Sequence, residues 1–172
     1  MSRDPLEQRE LVITRRLKAP RSLVWRTFED PHLLAQWWGP ENFTSAITRF
    51  EFRAGGEWQV TMRAPDGTER PVRYRFVEIV APERIIYRPL PSTRAVWRGN
   101  PPPTYLATLT FEALGNETLF TMRAEFESAA DLALSINFGR GTNQALDKLE
   151  RQLASRLPPV SSSGAPRRSR PG

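Results

Sequence analysis

LLAQWWGPENF, residues 33–43, sets two tryptophans side by side, Trp37 and Trp38, with Gly39 and Pro40 directly behind them. Neighbours on a helix point about 100° apart, so one flat core face cannot take both indoles. Gly39 suits the left-handed closing conformation and Pro40 forbids continuation, which predicts a helix ending here with both tryptophans in its last turn. Asp30 and Pro31 supply the opposite end as N-cap and first helical residue. Upstream, Leu11, Ile13 and Leu17 recur at a period of two and predict a strand that ends before Pro20. Val24 and Phe28, at i and i+4, then predict a short helix stopping near Glu29.

Beyond Thr44 the pattern changes to strands and tight turns. Residues 44–53 read as one strand, turned by Ala54, Gly55 and Gly56. In GEWQVTMRA, Trp58, Val60 and Met62 share one face while Glu57, Gln59, Thr61 and Arg63 share the other. Pro65-Asp66-Gly67 is a hairpin signal, and Val72, Tyr74 and Phe76 then point inward, with the alternation slipping near Val77. RIIYRPL, Tyr105 to Phe111, and Phe120 to Phe126 supply three further strands. Ser128 and Asp131 have the spacing of a capping box, Gly139 and Gly141 are expected to interrupt the helix that follows, and Leu146, Leu149, Leu153 and Leu157 give the long final helix one apolar stripe.

The strands present one apolar face, and the final helix is the one long amphipathic element available to cover it. The expected class is therefore α+β: a strongly curved antiparallel sheet of about seven strands, in the order β-α-α-β6-α, wrapped around a long C-terminal helix. Residues 1–9 read as a flexible N-terminus, 10–157 as the domain, and 158–172 as a disordered tail rich in proline, serine and arginine.

Composition excludes several chemistries. The chain of 172 residues has no cysteine and a single histidine, His32, so thiol nucleophiles, disulfides, cysteine zinc sites and two-histidine metal sites are unavailable within it. No cofactor is expected. Half of the formal charge of +6 comes from Arg167, Arg168 and Arg170 in the tail, and the remainder is spread over a mixed surface, which does not describe a nucleic-acid face. No apolar run approaches a membrane span and the N-terminus lacks the apolar core of a signal peptide, so a soluble cytoplasmic protein is expected. Glu57 and Glu125 fall on outer faces and Glu78 is ambiguous, so no carboxylate pair for acid–base work emerges.

Taken in order and spacing, these segments resemble the SRPBCC (START-like, helix-grip) superfamily, in the branch related to the C-terminal domain of the activator of heat-shock protein 90 ATPase. The matching pieces are Arg15 with Ala19-Pro20, Asp30-Pro31, Trp37 to Pro40, Arg53 to Trp58, Pro65 to Gly67, Glu78 with Ala81 to Ile85, and Leu146 with Leu149. The chain departs from that pattern at Gly141-Thr142-Asn143, where the family carries a Gly-Trp pair, and in the loop 91–104 with Trp97 and three successive prolines. The resemblance implies a cavity between sheet and final helix.

The candidate ligand-binding residues are Trp37, Trp38, Phe50, Phe52, Trp58, Val60, Met62, Tyr74, Phe76, Phe111, Met122 and Asn143. One indole of the pair is expected beneath the second helix and its neighbour at the cavity rim; the plainer alternative is that both close the core. Arg15 shares strand parity with Leu11 and Ile13, and either a bulge or strand end carries it to solvent, the reading preferred here, or it finds an anionic partner inside. His32 reads as a surface residue. The function expected is non-catalytic binding of a small hydrophobic or aromatic molecule. The alternatives are a co-chaperone-like protein module, anchored by Trp97 and directed at a chaperone, and a cyclase or hydrolase of a polyketide-like compound.

Overall fold

The alternating segments resolve into seven strands, all paired antiparallel, in the computed structural model, which describes residues 9–91 and 102–156. The chain runs β1 (Glu10–Leu17), α1 (Arg21–Glu29), α2 (Pro31–Trp37), β2 (Thr44–Phe50), β3 (Glu57–Arg63), β4 (Glu69–Val80), β5 (Arg84–Pro89), β6 (Tyr105–Leu114), β7 (Glu117–Phe126), α3 (Ala129–Ala133) and α4 (Ser135–Arg156). Strand order across the sheet is β1-β7-β6-β5-β4-β3-β2, so β1 and β2 are its edges. The fold is the helix-grip: a curved sheet with α4 on its concave side. Register shifts at Ile47/Arg49 and Phe76/Glu78 add local bend to β2 and β4. The second shift is the slip legible near Val77, which is left exposed. The expectations for residues 1–8, for Trp97, for Leu157 and for the basic tail lie outside the described residues.

The helix ends follow their sequence signals. Asp30 accepts from the His32 amide at 2.9 Å and caps α2, with Pro31 in its first turn and His32 exposed. Ser128 accepts from the Asp131 amide at 3.1 Å and opens α3. Leu146, Leu149 and Leu153 of α4 are fully buried, as their spacing requires.

Three expectations need correction. Gly139 and Gly141 do not interrupt the final helix, which runs through both. A Cβ at Gly139 would stand 3.2 Å from a Leu11 methyl, so glycine there lets α4 lie close against β1, and packing offsets a helix penalty of about 1 kcal/mol. Strand β2 stops at Phe50 rather than residue 53, because the Glu51 amide is bonded to the Glu57 carbonyl and the Arg53 amide to the Glu51 carbonyl in a tight turn. Arg15 does not reach solvent through a bulge: β1 pairs with β7 without a register shift, and the guanidinium lies under α4. There it donates to Asp147 Oδ1 at 2.7 Å and to the Asn143 carbonyl at 2.9 Å, with Glu150 at 3.5 Å. An inward arginine on a curved sheet is satisfied by the helix that the sheet grips.

Lys148 makes the matching contact on the other flank of α4. Its ammonium donates to the carbonyls of Gly39, Pro40 and Phe43 at 3.3, 3.2 and 3.3 Å. Burial pushes this ammonium below the usual lysine range, with Glu41 opposing the shift and Arg151 adding to it. Arg151 pairs with Glu41 in the same turn, and the Glu41 amide donates to Gln144 Oε1 at 3.2 Å.

The outer face of β2 to β4 carries an ionic cluster around Glu57. Arg73 lies 2.9 Å, Arg75 3.2 Å and Arg49 3.4 Å from its carboxylate, and Gln59 donates at 3.2 Å. The hydrogen bond from Arg73 leads the causes that lower its pKa from 4.5 to about 2.

Two outcomes follow. The unfolded chain takes up the Glu57 proton near pH 4.5 and the folded chain only near 2, so this group stabilises above that window and its contribution is lost as pH falls through it. Urea titrations from pH 6 to pH 2 should show an acid limb of falling stability that Glu57→Gln flattens. Lys148→Ala should lower stability by about 2 kcal/mol, read as a fall in Tm of roughly 4–8 °C, since it removes charged hydrogen bonds to three carbonyls.

Candidate ligand cavity

Trp38 answers the problem posed by the paired tryptophans. It is not in the last turn of α2; it follows the helix with φ −68° and ψ 136°, and Gly39 takes the left-handed φ of +94°. Trp37 stays beneath α2, 2% exposed, with its indole Nε1 donating to the Thr27 carbonyl at 3.0 Å and its ring edge-on to Phe28. Trp38 instead projects to the concave wall, packing on Trp58 at 4.4 Å and Tyr74 at 5.8 Å between ring centres. Ser45 Oγ donates to the Trp38 carbonyl at 2.7 Å and the Lys148 ammonium holds the next carbonyl, so both sides of the turn are tied.

Behind this turn lies a cavity of about 340 Å³. Trp38, Gly39, Pro40 and Phe43 form one wall, and Met62, Val72, Tyr74, Tyr87, Leu109 and Met122 form the floor on the sheet. Phe138, Gly141, Thr142 and Ala145 of α4 form the roof, with Pro102, Pro103 and Leu134 beside them. The void lies where α4 presents Gly141, Thr142 and Ala145 to the sheet's aromatic floor; Leu146 borders it, and Leu149 and Leu153 further along pack into the core. The wall is apolar apart from the tyrosine hydroxyls, Thr142, Asn137 and the half-buried Arg70. Its described residues include neither a carboxylate nor a histidine, so the arrangement binds by shape and hydrogen bonding.

Of the residues proposed from sequence, Trp37, Trp38, Met62, Tyr74 and Met122 are on the cavity wall. Trp58, Phe52 and Phe76 instead surround a separate void of about 10 Å³, smaller than a ligand needs, with Trp38 and Tyr87 lining both spaces. Phe50 stacks on Phe52 at 5.7 Å, Phe111 packs edge-on to Phe28, and Val60 is buried in the core. Asn143 is exposed, donating to the Gly139 carbonyl and accepting from Arg15. Trp58 Nε1 is buried without a hydrogen-bond partner among the described residues.

Sequence reasoning missed Tyr87, Tyr105, Phe138 and Lys148. The chain has three tyrosines, and all three line the cavity. Strand parity alone could have found two of them, because Tyr87 alternates with Ile85 and Tyr105 with Ala107. Burial pushes all three phenols well above the usual tyrosine range. No helix among the described residues is long and apolar enough to cross a membrane.

Residues 18–154 match the family described as "Activator of Hsp90 ATPase homolog 1-like protein". No curated protein matches the chain. A solution structure of a protein from Arthrobacter aurescens is similar at 26% identity and TM-score 0.76, covering 90% of this chain and 91% of that one. A crystal structure of a protein from Nitrosomonas europaea is similar at 26% identity and TM-score 0.73, over 90% and 99% of the two chains. CalU16 from Micromonospora echinospora shares the fold at 20% identity and TM-score 0.58, over 84% and 76%. The matched span covers strands β2 to β7, the Trp-Trp-Gly-Pro turn and most of α4, and the chain belongs to the activator of Hsp90 ATPase homolog 1-like family of the SRPBCC superfamily.

Proposed function

We propose that this protein binds a small, largely apolar molecule, without catalysis, in the cavity between the sheet and α4. The observation that carries the reading is the cavity itself: about 340 Å³, walled by aromatic and methionine side chains, with a handful of polar groups. That volume falls within the roughly 300–1,000 Å³ of small-molecule sites. Aromatic and methionine side chains that border this space, rather than packing on one another, give a small apolar molecule surface to cover. The turn at Gly39 and helix α4 are cross-tied by Lys148 and Arg151 at the cavity's edge.

The other readings rest on less. A chaperone partner is what the family's name suggests, and its expected anchor, Trp97, lies outside the described residues. A cyclase or hydrolase would need an acid–base pair, which the described wall does not offer.

The neutral fluorophore N-phenyl-1-naphthylamine should bind with a saturable rise in emission. At a hundredfold excess over Kd it should stabilise the protein by about 2.7 kcal/mol, read as a rise in Tm of roughly 5–11 °C. Ala145→Trp, which places an indole in the roof, should remove that binding while the variant still unfolds cooperatively. No saturable emission with the unaltered chain would overturn the reading.

A further inference from the structure

Among the described residues of the cavity wall, one polar side chain carries a charge. The tyrosine and threonine hydroxyls and the Asn137 amide can each meet either a donor or an acceptor, so they leave the ligand's chemistry open. Arg70 does not. A guanidinium offers five N–H donors and no acceptor and stays protonated in proteins, so only an acceptor can meet it, and an anion meets it best.

The strand fixes where that charge stands. Arg70 shares the inward parity of Val72 and Tyr74 on β4 and pairs across from Met62 of β3. It lies four residues from Tyr74, about 13 Å along the strand. Arg70 is half-buried where Val72 and Tyr74 are buried, which puts the cation at the outer end of the floor and an apolar stretch beyond it.

The cavity side of this cation meets no carboxylate on the described wall. Arg70 has interactions within the chain, and a forked guanidinium can hold such a contact and a carboxylate together. The acid that feels its charge is Asp66, on the hairpin between β3 and β4. That carboxyl is held below the usual carboxylate range chiefly by the Thr68 amide, at 2.8 Å, and only lastly by Arg70. Asp66 is exposed and is not on the wall. The cation therefore sets the charge of a ligand at one. A dianion would carry excess charge into apolar space, whereas a carboxylate matches both the charge and the planar fork.

We infer, building on the cavity-binding reading, that the ligand is an apolar carboxylic acid, held with its carboxylate on the Arg70 guanidinium and its apolar body between the sheet and α4. Arg70 is the residue that sets this preference.

Three probes with one apolar chain and different heads test it: decanoate, decan-1-ol and decylamine, each displacing N-phenyl-1-naphthylamine from the full chain. Decanoate should bind about tenfold more tightly than the alcohol, and the amine more weakly than the alcohol. Arg70→Met keeps an apolar stem and removes the charge; it should bring decanoate to within about twofold of the alcohol and leave the alcohol's Kd unchanged. Arg70→Lys, which restores a cation, should keep decanoate the tighter of the two. In the unaltered protein the carboxyl carbon of bound, ¹³C-labelled decanoate should titrate below free decanoate, a readout that survives should a variant fail to fold. Equal binding of decanoate and decan-1-ol, or a bound carboxyl that titrates above the free acid as burial alone would make it, overturns the inference and leaves the cavity reading standing. Tightest binding by decylamine overturns the sign of the charge. An undiminished preference for decanoate in Arg70→Met overturns the role of Arg70. No saturable emission from N-phenyl-1-naphthylamine overturns the cavity reading and this inference with it.

Discussion

The Lys148 ammonium, on the helix, holds the carbonyls of Gly39, Pro40 and Phe43 on the turn that follows α2. That contact decides where Trp38 stands, and Trp38 is at once a wall of the cavity, a partner of Tyr74 and the partition against the small void around Trp58. The desolvation that depresses the lysine's pKa is offset by hydrogen bonds to three carbonyls of the turn. Arg15 does the equivalent work on the opposite flank, reaching from β1 to Asp147 and the Asn143 carbonyl. Helix α4 is thus fixed on both sides by charged hydrogen bonds, and the space beneath its first turns is kept from collapsing.

Residue size along α4 completes the arrangement. Toward its C-terminus Leu146, Leu149 and Leu153 interdigitate with the sheet and close the core. Toward its N-terminus Gly141, Thr142 and Ala145 meet a floor of tyrosines and methionines and leave volume between them. One helix therefore acts as core along one half and as cavity roof along the other. The outer face of β2 to β4 follows a separate logic, where Glu57 gathers Arg49, Arg73 and Arg75 on strands that must not expose an apolar surface.

Much of the fold was legible in the sequence because its signals are local. Alternation in residues 57–63 and 69–76, the Asp30-Pro31 cap and the leucine stripe of the final helix each carry their own mechanism. Two of the errors share one physical cause, tertiary contact overriding local preference. Gly139 reads as a helix breaker until Leu11 is seen packed against it, and Arg15 reads as solvent-seeking until Asp147 is placed above it. The site was less legible. Parity separates inward from outward residues, and so collects Phe50, Phe76 and Phe111 with Tyr74, but only the position of α4 decides which inward residues border empty space. Lys148 carried no signal, because its partners are backbone carbonyls more than a hundred residues away.

A crystal of the protein pressurised with xenon tests the central claim most directly, since xenon enters apolar cavities that water leaves empty. Density is expected between Trp38, Tyr87, Leu109 and Phe138, in the space of about 340 Å³ beneath α4. Absence of xenon there, with the Trp38 and Phe138 rings meeting across a closed core, would contradict the existence of a binding cavity.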